Sequence, residues 1–296
     1  MEISTSTNIV AFQRGRQRLP VEFSISTCAE AGYKVLDINF CMAMNPESPL
    51  RGDGWEAYVR SIGRLADACG IRFNQSHLPY YDVHAQRGTA QSDLMEELIR
   101  RSILGTAMLG ARWAVTHPFT VYGESAAVSR QANLTYYAGH LRTAREAGIG
   151  IALENDYAYR PGVYCADIAE LTDLCDAFGD PAHVGVCYDF GHANLTGGCH
   201  RQNLNAIGKR LRAVHVQDNH GQSDEHLLPF FGSIDWEQAM LGLAESGYRG
   251  ELTFEIQEYG RYLPKDMKYL AVEQSLTVGR RLVELYRAGS AAKQGE

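Results

Sequence analysis

Apolar positions in this chain fall into short runs that alternate with longer stretches of helical spacing. The runs NIVAF (8–12), KVLDINF (34–40), IRFNQSH (71–77), RWAVTHP (112–118), IGIALEN (149–155), HVGVCYDF (183–190), LRAVHVQD (211–218) and ELTFEIQ (251–257) predict eight strands. Between them, GWEAYVRSIGRLADACG (54–70), SDLMEELIRRSILGTAMLG (92–110) and NLTYYAGHLRTAREAG (133–148) repeat apolar residues every three or four positions and stop at glycine, which predicts helices. The βα unit repeats eight times. That predicts an α/β fold, a (β/α)8 barrel, and no Pro/Gly/Ser-rich linker or shift in composition divides residues 1–296 into two domains. A last helix over about 266–288 leads into a polar tail, and residues 286–296 are expected to fray.

Parallel strands present their carboxyl ends to one face, and here those ends are polar. IALEN ends in Glu154 and Asn155, VGVCYD in Asp189, LRAVH in His215 and ELTFE in Glu255, while His77 and His117 close earlier strands. A carboxylate or imidazole at the tip of an apolar run is costly to bury, and one divalent cation compensates several at once. Glu154, Asp189, His215 and Glu255 are therefore expected to ligate a metal, since no Lys or Arg occupies a neighbouring strand end to pair with them. His77 or His117 alone fits a hydrogen-bonded structural role at least as well. His192, three residues after Asp189, and the D-x-H pair Asp224 and His226 extend the set. Two long connections, 41–54 and 219–233, are the candidate substrate loops. Tyr80, Trp113, Phe230 and Phe231 are candidates for apolar walls, with core packing as the alternative for each.

The net charge of −7 weighs against a highly basic nucleic-acid binder. Seven cysteines without a CxxC pair, and an amino terminus without a long apolar segment, predict reduced thiols in a cytoplasmic protein. No run approaches the roughly 20 residues needed to cross a bilayer, so no membrane partner is expected.

The stretch VHVQDNHGQSDEHLLPFFGSIDW (214–236), taken with the strand-end ligands, resembles the xylose-isomerase-like TIM-barrel superfamily. This superfamily holds the sugar phosphate isomerase/epimerase family and the apurinic endonuclease IV family, and the resemblance covers essentially the whole chain. It implies one divalent cation, most often manganese with cobalt, magnesium or zinc as alternatives, on Glu154, Asp189, His215 and Glu255. Glu154 and Glu255 would double as the acid/base pair, and His192 would contact substrate. Endonuclease IV is similar in holding three zinc ions on nine ligands, which would here be His77, His117, Glu154, Asp189, His192, His215, Asp224, His226 and Glu255; Tyr80 matches its H-x-P-Y pattern. Against the nuclease, the carboxyl-end loops carry little beyond Arg51 and Arg87 to neutralise phosphates.

The expectation is a metal-dependent sugar isomerase or epimerase. It would abstract the proton α to the carbonyl of a keto-sugar or related small carbohydrate, with a cation offsetting the charge of the enediolate. His77, His117, His192, Tyr80, Asp224 and His226 are the candidate substrate contacts. A keto-sugar dehydratase or 3-keto-glycoside lyase, carbon-linked glycosides included, shares the first step and is the neighbouring alternative. A trizinc phosphodiesterase on abasic DNA is the alternative from another class. Superfamily relatives often form homo-oligomers, and nothing in the sequence fixes the number.

Overall fold

In the computed structural model, which describes residues 1–12 and 18–294, eight parallel strands form a nearly closed barrel with helices between them. The strands are β1 (Ile3–Ser6), β2 (Val35–Asn39), β3 (Arg72–His77), β4 (Trp113–Thr116), β5 (Gly150–Glu154), β6 (Val184–Asp189), β7 (Leu211–His215) and β8 (Leu252–Phe254). The helices are α1 (Val21–Ala31), α2 (Trp55–Ala68), α3 (Val83–Gln86), α4 (Ala90–Met108), α5 (Ala126–Glu146), α6 (Ile168–Ala177), α7 (Phe190–Thr196), α8 (His200–Ile207), α9 (Trp236–Glu245) and α10 (Lys268–Gln294). From β1 to β7 each strand pairs in parallel with the next, and β1 pairs with β8. Between β7 and β8 the ring closes through Val216, whose N–H donates to Thr253 O at 2.8 Å and whose carbonyl accepts from Glu255 N at 3.1 Å.

The main core lies between strands and helices, and a smaller one inside the barrel packs Trp113, Val115, Ala152, Cys187 and Ala213. Trp113 is thus an interior filler, lying against Gly150 of the adjacent strand, and not a wall of the candidate pocket. Outside β6, Tyr188, Phe190 and Trp236 are buried with ring centroids 5.0 and 5.4 Å apart. Burying each contributes roughly 2–3 kcal/mol, and together they fix the turn that carries Asp189 and His192.

Three boundaries differ from the sequence pattern. The first strand is not NIVAF but Ile3–Ser6, because Ser4 faces a polar interior and donates to Asn74 Oδ1 at 3.1 Å. Apolar periodicity is blind to such a strand. Ile9 and Val10 are buried beyond its end instead. Helix α5 begins at Ala126, a full two turns before residue 133, with Ser125 as the capping acceptor. The polar stretch expected to fray is helical as far as Gln294.

Candidate active site

The carboxyl ends of six strands meet at one point. Glu154, Asp189, His215 and His77 are the last residues of β5, β6, β7 and β3, while His117 and Glu255 follow β4 and β8 directly. Ligand atoms of Glu154, Asp189, His215 and Glu255 lie within 4.8 Å of one another, and all four residues are buried. His215 Nδ1 is 2.8 Å from Glu154 Oε1 and 3.5 Å from Glu255 Oε2. Glu154 Oε2 and Asp189 Oδ2 are buried without a hydrogen-bond partner. Leaving a buried carboxylate oxygen unpaired is expensive, and a donor set of three carboxylates and one imidazole suits a divalent cation such as manganese or zinc. The residues present therefore fit a metal ion.

Local structure explains why these atoms point inward. Asp189 caps α7 by accepting from His192 N at 2.7 Å through Oδ1, which leaves Oδ2 for the centre. Asn155 clamps the same turn, accepting from Asp189 N at 2.8 Å and donating to Asp189 O at 3.0 Å. The outer imidazoles share a pattern. Nδ1 of His77, His192 and His226 each lies 2.8–2.9 Å from a backbone carbonyl, of Leu78, Asn155 and Glu255 respectively. With Nδ1 engaged there, Nε2 of each ring is turned to a carboxylate of the site, Glu154 for His77 and Asp224 for His192 and His226.

Two further groups flank the first. Nε2 of His77 and of His117 each lies 3.4 Å from Glu154 Oε2, and the two nitrogens are 3.3 Å apart. His226 Nε2 meets Asp224 Oδ2 at 2.9 Å, with His192 Nε2 3.6 Å from the same oxygen. Tyr80 stands over this rim, its ring centroid 5.3 Å from that of His117. The ten candidate ligands and substrate contacts named from the sequence thus gather at one end of the barrel.

The electrostatics divide the histidines. Burial opposes charge on His192, yet Asp189 and Asp224 hold its pKa well above the usual imidazole range. Against the same burial, Asp224 lifts His226 to about 9. Burial wins at His117, which falls to about 3 despite Glu154 beside it. Burial also pushes Asp189 up to about 6, whereas Glu154, opposed by burial, is held well below the ordinary carboxylate range by His215 and His117.

A cavity of about 570 Å³ opens over this floor. His77, His117, His192, Asp224, His226 and Glu255 line it, along with Tyr80. Met42 and Met44 from the 41–54 connection join them, so both candidate loops reach it. Phe230 and Phe231 do not; they stand half-exposed on the loop surface, Phe231 against Tyr259.

Asp37 and Gln217, which the sequence pattern passed over, complete the site. Asp37, inside β2, is fully buried, with Oδ2 3.6 Å from His215 Nε2 on the side away from Glu154. Gln217 donates to Asp189 Oδ1 at 3.3 Å and to Asp224 Oδ1 at 2.8 Å, tying the inner and outer groups together. Asp218 organises the loop beyond: it accepts from the N–H groups of Asn219, Phe230 and Ile234 and from Trp236 Nε1. A carboxylate in the apolar run KVLDINF was the one available signal for Asp37.

Residues 25–273 match the family model described as xylose isomerase-like TIM barrel. The chain belongs to this family. Fructoselysine 3-epimerase of Escherichia coli O157:H7 is 24% identical over 261 residues, covering 83% of this chain and 88% of that protein. Among solved structures, a D-tagatose 3-epimerase-like protein superposes with a TM-score of 0.74 at 20% identity, over 97% of this chain and 99% of the other. The 3-keto-D-glucoside 4-epimerase of E. coli superposes with a TM-score of 0.71 at 19% identity, over 95% and 99%. Relatives and structural neighbours of this xylose isomerase-like chain thus include sugar epimerases. Among the described residues, no helix is long and apolar enough to cross a membrane.

Proposed function

We propose that this xylose isomerase-like protein is a divalent-cation-dependent epimerase or isomerase of a keto-sugar, with manganese the preferred ion. The observation that carries the reading is the buried Glu154–Asp189–His215–Glu255 group, with unpartnered oxygens on Glu154 and Asp189, whose Glu255 lines a cavity of about 570 Å³. The epimerases among its relatives and neighbours support it. A cation held by these four residues would supply Lewis acidity to a carbonyl oxygen and its neighbouring hydroxyl.

The remaining chemistry falls to the side chains. Glu255 reaches the cavity wall, so its carboxylate is placed to remove the proton α to the carbonyl. Glu154 is the second carboxylate, fully buried beneath His77 and His117. It passes on a proton drawn from His77, whose Nε2 lies 3.4 Å from its Oε2 and which, against burial, Cys41 and Glu154 hold well above the usual imidazole range; in the reverse direction the two carboxylates exchange roles. His192 and His117 orient hydroxyls through Nε2. A leaving group on the carbon beyond the abstracted proton turns the same step into elimination, and product analysis separates epimerase from dehydratase or lyase.

Incubating manganese-loaded protein with ketoses and 3-keto-glucosides in deuterium oxide tests the reading, because proton abstraction labels one carbon. We expect label in at least one ketone, and Glu255→Gln to slow exchange at least about a hundredfold. Failure of every ketone to exchange overturns the reading.

A second reading rests on the two flanking groups, His77–His117–Glu154 and His192–Asp224–His226, which together with the inner group resemble a three-ion phosphodiesterase. Arg18 is the one Lys or Arg side chain on the cavity wall among the described residues, a poor match for a phosphate backbone. Metal analysis decides: near one ion per chain favours sugar chemistry, and three zinc ions with nicking of abasic duplex favour the phosphodiesterase.

A further inference from the structure

The cavity is larger than its reacting end requires. At about 570 Å³ it lies in the roughly 300–1,000 Å³ range of pockets that enclose drug-sized ligands, well beyond what a six-carbon sugar fills. Its chemistry is also divided. The floor carries imidazoles and carboxylates, which serve hydroxyls and a carbonyl, whereas the same cavity is lined elsewhere by Met42, Met44 and Val83. Sugar hydroxyls gain nothing from thioethers and an isopropyl group, because a polar group brought against an apolar wall loses its water without a replacement.

One wall leads outward from the reacting end as a file of rings. The Tyr157 centroid lies 5.2 Å from that of His192 and tilts 33° to it, and Tyr159 follows at 5.2 Å from Tyr157. The Tyr159 hydroxyl meets that of Tyr122 at 2.5 Å, and the Arg160 guanidinium carbon sits 3.2 Å from the Tyr122 ring centroid. These contacts order side chains that would otherwise be free at the mouth. Tyr159 is 52% exposed, so its ring is not part of the hydrophobic core and is displayed toward whatever fills the outer cavity. The ordered tyrosines form a surface for an apolar or aromatic group, and the adaptable Met42 and Met44 line the same cavity from the connection after β2.

We propose that the substrate is a sugar carrying an apolar or aromatic substituent, its ring over the Glu255 end and its substituent along Tyr157, Tyr159 and Tyr122. This rests on the enolising role given to the floor. The substituent supplies binding and orientation only and undergoes no bond change itself.

Two matched pairs test it with the manganese-loaded protein. The first compares C3 proton exchange in D-fructose and in 1-O-benzyl-D-fructose. The second compares, by calorimetry, binding of methyl and phenyl β-D-glucoside, which have no ketone and cannot enolise. The expected result is about a tenfold preference for the aryl member of each pair, the return of two aromatic contacts. In Tyr159→Ser, whose melting temperature checks the fold, the ratio should fall toward one. Equal values within both pairs overturn the proposal. If neither ketose exchanges, the enolising role fails, and the glucoside pair still decides the subsite: tighter phenyl binding upholds it and equal binding removes it.

Discussion

A residue at a strand's last position is legible in sequence, and one inside the strand is not. Glu154, Asp189 and His215 each terminate an apolar run, so register and chain direction alone bring them to one face. Asp37 and Gln217 act on the same centre but do not stand out. Asp37 sits in mid-strand, where alternation allows either face, and only closure of the barrel aims it at His215. The pair has the form of a carboxylate behind a ligating imidazole, which fixes ring orientation and raises its basicity. Asp37→Asn keeps the shape and removes the charge. Calorimetric titration of the metal-free variant should show manganese affinity about 10–100-fold weaker than in the parent; an unchanged affinity would take Asp37 out of the site's support.

Elements were predictable where periodicity is set by a water-facing side and a core-facing side, which holds for the helices and for most strands. It fails for β1, whose Ser4 is buried in a partly polar barrel interior. Contacts between elements distant in sequence were equally invisible. Lys268, at the start of α10, is fully buried and donates to the carbonyls of Phe12, Gly260 and Arg261, at 2.6, 2.6 and 3.2 Å. It staples the loops after β1 and β8 beside the cavity mouth. Lys268→Met removes charged hydrogen bonds worth about 1.5–3 kcal/mol apiece, and burying a methionine in place of the ammonium returns part of this, so urea denaturation should show a loss of about 2–4 kcal/mol. Gly105 in α4 sets two effects against each other. Alanine there gains about 1 kcal/mol of helix propensity, but its Cβ would lie 2.8 Å from Phe40 Cζ, on a fully buried ring. Overpacking costs about 1–3 kcal/mol, so Gly105→Ala should lower the melting temperature despite the better helix former. A rise would mean that Phe40 yields freely.

For the whole molecule, the site couples folding to cations and to pH. Without a metal, burial raises Asp189 from its ordinary 3.8 to about 6, so the folded protein holds that proton more tightly than the unfolded chain. The sign follows: this group favours the folded state below about pH 4, and its contribution is lost as pH rises through 6. A ligating cation reverses the dependence, since the carboxylate must be ionised to bind it and acid competes for the same oxygen. Cation at a hundred times its dissociation constant adds about 2.7 kcal/mol of stability, or a rise of roughly 4 °C for a chain of this size. Thermal melts with manganese and with chelator at pH 5.0, 6.0 and 7.5 separate the two regimes. The gap between the curves should be small at pH 5.0 and should open across pH 6, with the chelated protein moving down as the loaded one moves up. A gap of constant width would mean that no group titrating near 6 touches the ion, and would remove Asp189 from the ligand set while leaving Glu154, His215 and Glu255 to be tested one by one.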